Sequence, residues 1–172
     1  MIKVKKLSKE KDIVLFKNNL LKDPFTDYCP NTLNKYYNRY QLSKSYIFCV
    51  KINNNIGFLC RAYYLTKNYK LKNGINIKYN YELNDVYLME KYRGKKINGE
   101  KISHISLKSI LEYLNGNIML WTTKDNIPAI KLYEKLGFKL IKYKPSIIIK
   151  DCIKNYEWLK KKKIIMMEYI KN

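Results

Sequence analysis

The chain has 172 residues, 47% of them hydrophobic and 14% aromatic, which suits one domain with a sizeable core and excludes a disordered segment. Its formal charge of +21 comes from 35 basic against 14 acidic residues, and of the basic ones only Arg39, Arg61 and Arg93 are arginine. Lysine spread through the whole chain attracts polyanions at low salt but lacks the planar forks that read phosphates and bases, so nucleic acid is expected as a non-specific partner at most.

In chain order, Ile2 to Leu7 alternates like a first strand, and Ser8 can cap a helix through about Leu21 with Ile13, Phe16, Leu20 and Leu21 on one side. Asp23-Pro24 breaks it. A second helical piece from about Asn31 to Leu42 carries Leu33, Tyr36, Tyr37 and Tyr40, a packing face or the wall of a cleft. Tyr46 to Ile52 and Ile56 to Leu65 are apolar runs joined by Asn53-Asn54-Asn55, a hairpin signal because asparagine tolerates positive φ. Lys67 to Gly74 reads as a polar loop, and Ile75 to Met89 as one long strand or two short ones.

Glu100 to Leu114 is predicted helical, with Ile102, Ile105, Leu111 and Leu114 inward and Asn115-Gly116 at its end. Asn117 to Thr123 is the next strand, and a short helix follows from Asn126 to Leu136. Phe138 to Tyr143 and Ile164 to Ile170 form a closing pair. Between them Asp151 to Leu159 suits a short helix, and Lys160 to Lys163 a solvated turn. The order is that of an α/β fold with a largely antiparallel sheet and one parallel step around the helix at Glu100.

Cys29, Cys49, Cys60 and Cys152 are far apart and His104 is the only histidine, so buried thiols rather than a metal site or disulfides are expected. No run reaches the length of a membrane span. The N-terminus, with Lys3, Lys5 and Lys6, has no apolar signal core, so a cytoplasmic protein with no membrane partner is expected.

Two stretches carry chemistry. In Leu120 to Phe138, Asn126 is a good helix N-cap, Pro128 sits in the first turn where no amide donor is missed, and Gly137 supplies a left-handed stop. Ala129, Leu132, Tyr133 and Leu136 share one face, so the Tyr133 hydroxyl travels with the buried side and needs a partner. The pattern Asn-x-x-Ala-x-x-Leu-Tyr-Glu-Lys-Leu-Gly-Phe resembles, almost residue for residue, the last conserved motif of the GNAT acyltransferase superfamily. Upstream, Asp85 to Gly99 reads as strand, turn and the start of a helix near Gly99 or Glu100. There Tyr92, Arg93 and Gly94 agree with the family's Tyr-Arg-Gly-x-Gly-x-Gly or Ala, while Lys96 and Asn98 depart from it.

The resemblance implies a single N-acetyltransferase domain. Its mixed, mostly antiparallel sheet would have six to seven strands, flanking helices and a splayed central strand pair. It implies acetyl-CoA as co-substrate, no metal, and direct attack of a primary amine in a ternary complex, the protein mainly positioning two reactants. Carried over, the cofactor would run along Val86, Tyr87 and Leu88, with a backbone amide near Leu88 polarising the thioester. Its pyrophosphate would sit on the amides of Arg93, Gly94, Lys95, Lys96, Ile97, Asn98 and Gly99, with Asn126 and Tyr133 completing the site. Tyr133 would donate to the departing thiolate.

Some relatives, including polyamine acetyltransferases, carry a glutamate where this chain has Asn84. Two-residue alternation puts Glu82 on the face of Asn84, and Asp85 on the other unless a bulge intervenes. Either could accept a proton through water, or no dedicated base exists. The basic charge favours a neutral, acidic or phosphorylated small-molecule amine, or a protein N-terminal amine. A homodimer accords with the habit of the relatives. The alternative function is a GNAT-like domain with a weakened cofactor loop that binds RNA or a protein.

Overall fold

The computed structural model describes residues 2–7, 18, 45–65, 69–70, 76–141 and 162–171. Both helices expected before residue 45 lie outside them apart from Asn18, which is helical, as do Cys29, Cys152 and the helix expected at 151–159.

Strand β1 (Ile2–Leu7) pairs antiparallel with β2 (Ser45–Ile52), which turns back into β3 (Asn55–Tyr64). Ile52 faces Asn55, so the connection has two residues, and Asn53 and Asn54 take φ of 49° and 66°. Two left-handed residues in succession match the right-handed twist of the flanking strands, the geometry that asparagine permits. The short strands β4 (Tyr69–Lys70) and β5 (Asn76–Ile77) pair with each other, where a polar loop was expected up to Gly74. Strand β6 (Tyr81–Leu88) follows, so Ile75 to Met89 resolves into two strands.

After a 3-10 turn (Glu90–Tyr92) come the two-residue strands β7 (Lys96–Ile97) and β8 (Glu100–Lys101), then helix α1 (Ile102–Tyr113). Strand β9 (Ile118–Thr123), helix α2 (Ile127–Lys135), β10 (Lys139–Leu140) and β11 (Ile164–Tyr169) complete the order. Seven strands form one sheet, β1-β2-β3-β6-β9-β11-β10, mostly antiparallel with β6 and β9 parallel. A parallel step needs a crossover, which here contains α1.

The chain divides into two compact units, Met1–Tyr64 with Asn84–Tyr113, and Leu65–Leu83 with Leu114–Asn172, so the division falls inside β6. In the first unit Ile47 to Val50 and Phe58 to Ala62 are buried without interruption. Strands covered on both faces read as continuous apolar runs, which is why no alternation marks them in the sequence. Phe48, Leu59, Leu107 and Ile110 are fully buried there. Each such side chain contributes about 1.5–3 kcal/mol relative to exposure.

In the second unit Tyr79, Met119, Ile141 and Met166 form a buried cluster. The start of the parallel pair is pinned by two asparagines: Asn117 O accepts from the amides of Asn80 and Tyr81 at 2.7 and 3.2 Å, and Asn80 Oδ1 accepts from the Asn117 amide at 2.9 Å. That clamp sets the parallel register Tyr81↔Ile118, Glu82↔Met119, Leu83↔Leu120. Glu168 Oε2 accepts a 2.6 Å bond from Tyr79, whose phenol is pushed above its usual range by burial first and by that bond second.

Candidate active site

In the first unit the backbone of β6 is interrupted at Asp85, whose φ is +50°. A left-handed residue inside a strand is where one type of bulge ordinarily places glycine, and it breaks the two-residue alternation of faces. Asp85 holds this conformation with its carboxylate on Arg61 of β3. Arg61 Nε donates to Asp85 Oδ2 at 2.8 Å, Nη2 donates to the same oxygen, and Nη1 donates to the Tyr63 hydroxyl. The Arg61 and Asp85 side chains are 2% and 8% exposed. The strain of a left-handed residue is about 1–2 kcal/mol, less for aspartate. Each hydrogen bond to a charged group contributes about 1.5–3 kcal/mol, so the pair outweighs the strain while both partners are present. Cys60 Sγ lies 3.9 Å from Asn84 O. Its thiol is pushed far up by burial, with the Asp85 charge adding and Arg61 opposing, so it stays protonated and inert.

Strand β6 ends where the Met89 amide donates to Gly57 O of β3 at 2.9 Å. Arg93 then folds back, its Nε donating to Leu88 O at 3.1 Å and its guanidinium lying 5.4 Å from the Tyr87 ring. Gly94 takes φ of 72°. The segment beyond differs from expectation. Lys96 pairs with Lys101 and Ile97 with Glu100, and Asn98 and Gly99 form the two-residue turn at φ of 51° and 79°. Asn-Gly is among the strongest signals for such a turn. A tight hairpin therefore stands where a row of amides running into a helix was expected, and α1 starts at Ile102 rather than near Gly99 or Glu100.

The Lys95 amide is engaged by Tyr92 O at 3.2 Å, and Lys95 O accepts from the Ile102 amide at 3.1 Å. Glu100 on the hairpin bonds His104 one turn into the helix. The hairpin's outer side is open, with no heavy atom within 4 Å of where a Cβ would stand at Gly94 or Gly99. Lys91, Arg93, Lys95, Lys96 and Lys101 are all exposed around it.

In the second unit α2 ends as its sequence dictates. Gly137 has φ of 92°, its amide donates to Glu134 O, and the Phe138 amide donates to Tyr133 O, both at 3.0 Å. This is the paired arrangement that closes a helix on glycine, and its usual apolar contact is present between the Tyr133 and Phe138 rings, 5.7 Å apart. Tyr133 is 6% exposed, so the packing of its ring is fixed by the same motif. Asn126 occupies the cap position with Pro128 behind it, but its side chain makes no capping bond and is exposed. Glu82 Oε1 accepts from Trp121 Nε1 at 3.2 Å. At the end of β9, Lys162 pairs with Asp125, holding that carboxyl below the usual carboxylate range.

A family model described as the acetyltransferase (GNAT) family matches residues 16–138. The chain belongs to that family. In GNAT terms the match takes in β6, the hairpin and α2 together. A mycothiol acetyltransferase of Corynebacterium jeikeium is 38% identical over 56 residues, which is 33% of this chain and 16% of that relative's length.

Among solved structures, the ribosomal-protein-S18-alanine N-acetyltransferase of Escherichia coli superposes with a TM-score of 0.65 at 11% identity, covering 99% of this chain and 94% of that one. The spermidine N-acetyltransferase of Vibrio cholerae, solved with CoA and spermine, gives 0.59 at 18% identity, covering 98% and 95%. At such identities these two establish the GNAT fold and nothing about the acceptor.

Of the expected site residues, the structure brings Asp85, Val86, Tyr87, Leu88, Arg93 and the hairpin into one unit, and Glu82, Asn126 and Tyr133 into the other. Sequence reasoning missed Arg61 as the partner of Asp85, and Tyr63 as a further partner of Arg61. The available signal was a lone arginine inside an otherwise apolar strand, since a buried cation requires a buried anion. Among the described residues no group of three or more His, Cys, Asp or Glu could hold a metal ion, and no helix is long and apolar enough to cross a membrane.

Proposed function

We propose that the protein is an acetyl-CoA-dependent N-acetyltransferase acting on a primary amine by direct attack in a ternary complex. The observation that carries this reading is the turn after β6. A strand end, a glycine with positive φ and an open hairpin are ringed there by Lys91, Arg93, Lys95, Lys96 and Lys101, against only Glu90 and Glu100. A diphosphate with an additional phosphate is the ligand such a concentration of cations suits. Tyr87 supplies a second sign of fit, since its hydroxyl is buried and has no hydrogen-bond partner among the described residues. Bound acetyl-CoA would supply an activated thioester, and the protein's part is to hold and polarise it.

The residues divide this work. Gly94, Lys95, Lys96, Ile97, Asn98 and Gly99 hold the phosphates with Arg93. Because the Lys95 amide is engaged within the turn and Ile97 sits in the hairpin ladder, side-chain charge carries more of the grip than main-chain donors do. Val86, Tyr87 and Leu88 line the pantetheine arm, the Leu88 amide facing the thioester oxygen. Tyr133, with Asn126 at the start of its helix, meets the sulfur, and its phenol donates a proton to the leaving thiolate. Of the two carboxylates, Glu82 is the better route for the amine's proton, by way of water. Asp85 Oδ2 already accepts twice from Arg61, which suits it to holding the backbone.

The acceptor is proposed as a neutral, acidic or phosphorylated small-molecule amine or a protein N-terminal amine, given the +21 charge. Relatives named for a protein alanine and for spermidine span both sides of that preference.

A second reading is favoured by one observation, the hairpin in place of an amide row. On it the domain binds RNA or a protein and has lost its cofactor. A thermal shift separates the two: acetyl-CoA at 100 times its Kd stabilises an enzyme by roughly 2.7 kcal/mol. No shift, with salt-sensitive RNA binding, would favour the second reading.

A further inference from the structure

The lone buried arginine of β3 has no role in the reaction scheme, yet three of its nitrogens are committed, two to Asp85 and one to Tyr63. Its partner is the non-glycine residue of β6 with left-handed backbone, at φ +50°. Beyond Asp85 the strand runs only through Val86, Tyr87 and Leu88 before the Met89 amide ties it back to β3 at Gly57. Those three residues stand between one fixed point, the Arg61 pair, and another, the Met89 bond. The direction their amides and carbonyls face is set by whether Asp85 stays left-handed, because an extended Asp85 restores plain alternation and turns each of them to the opposite side.

We infer that Arg61 is a positioning residue: by gripping Asp85 in the left-handed conformation it aims the main chain of Val86–Leu88. This rests on the acetyltransferase reading for its consequence, since that main chain is where the thioester is proposed to lie. The local claim about β6 does not depend on that reading. Arg93 reinforces the arrangement from the far side by bonding the Leu88 carbonyl, which fixes the end of the same three-residue segment.

Removing one partner alone leaves a buried charge and reports on folding, so both must be changed together. Arg61→Met with Asp85→Gly removes the pair and leaves a residue for which positive φ has no steric penalty. Arg61→Met with Asp85→Ala removes the same pair and leaves one that avoids it. The two double variants have nearly the same composition and differ in a single Cβ.

Two measurements are made on wild type and both variants: acetyl-CoA affinity by titration calorimetry, and the amide chemical shifts of Val86, Tyr87 and Leu88. The alanine variant is expected to lose at least about tenfold in affinity and to move all three amides. The glycine variant should recover most of that loss and keep the amides near their wild-type positions, with the alanine variant melting only a few degrees lower, as about 1 kcal/mol of backbone strain requires. Equal affinities and equal shifts in the two variants would overturn the inference. If wild type itself does not bind acetyl-CoA, the acetyltransferase reading fails, and the amide shifts alone decide whether Arg61 aims this backbone.

Discussion

The end of α2 and the turn after β6 were both legible as family motifs, and they folded with different fidelity. At α2, Gly137 is left-handed, its amide and that of Phe138 close the helix, and the Tyr133 ring packs where its spacing put it. After β6, the Asn98-Gly99 pair closes a hairpin, and the helix begins three residues past the glycine. A motif is reproduced when its local backbone preferences agree with its remote resemblance, and is redrawn where a stronger local preference intervenes. Gly137 serves both the family pattern and the helix stop. Asn98-Gly99 is a better hairpin turn than a phosphate loop.

The largest expected effect lies beside the turn. Arg61→Met alone strands the Asp85 carboxylate in a buried site, and urea unfolding should register a loss of about 3–5 kcal/mol. A loss under about 1 kcal/mol would mean that water reaches the pair and that β6 is not held as described. Next comes Tyr133→Phe, which keeps the ring against Phe138 and removes only the hydroxyl. Thiol release from acetyl-CoA should slow by about 100-fold with no change in melting temperature. An unchanged rate would reduce α2 to a packing element.

A smaller effect is expected at the helix stop. A Cβ at Gly137 would meet Tyr169 at 3.7 Å, an ordinary contact, so Gly137→Ala suffers only from its positive φ. A loss of roughly 1 kcal/mol in unfolding free energy is expected, and a loss several times larger would point to a clash instead. The smallest effect concerns the hairpin. Lys95→Ala with Lys96→Ala should weaken acetyl-CoA binding by several-fold at low salt, and the deficit should shrink as ionic strength rises and exposed charges are screened. Binding unchanged by the double substitution, even at low salt, would instead indicate that main-chain donors dominate.

Much of the fold was readable without coordinates because its signals are local. The hairpin at Asn53 to Asn55, the two central apolar strands, α2 with both its ends, and β11 came out where the residues placed them. The turn shortened to Asn53-Asn54, and β10 is Lys139–Leu140 within the strand expected from Phe138, whose residues 142–143 lie outside the described ones. Boundaries moved where neighbours decide them. Lys67 to Gly74 looked like a loop because β4 has only two residues, too few for any periodicity. The left-handed residue in β6 was left open because aspartate tolerates positive φ without requiring it.

What the sequence alone determined was therefore whatever a residue's own stereochemistry fixes: glycine and asparagine at turns, a proline in the first turn of a helix, and enough apolar length for buried strands. The tertiary structure decided which charge meets which. Arg61 and Asp85 are 24 positions apart, and nothing local joins them. Only pairing β3 beside β6 brings a guanidinium to a carboxylate in a site dry enough that both must be satisfied, and satisfying them sets the backbone on which the proposed chemistry depends.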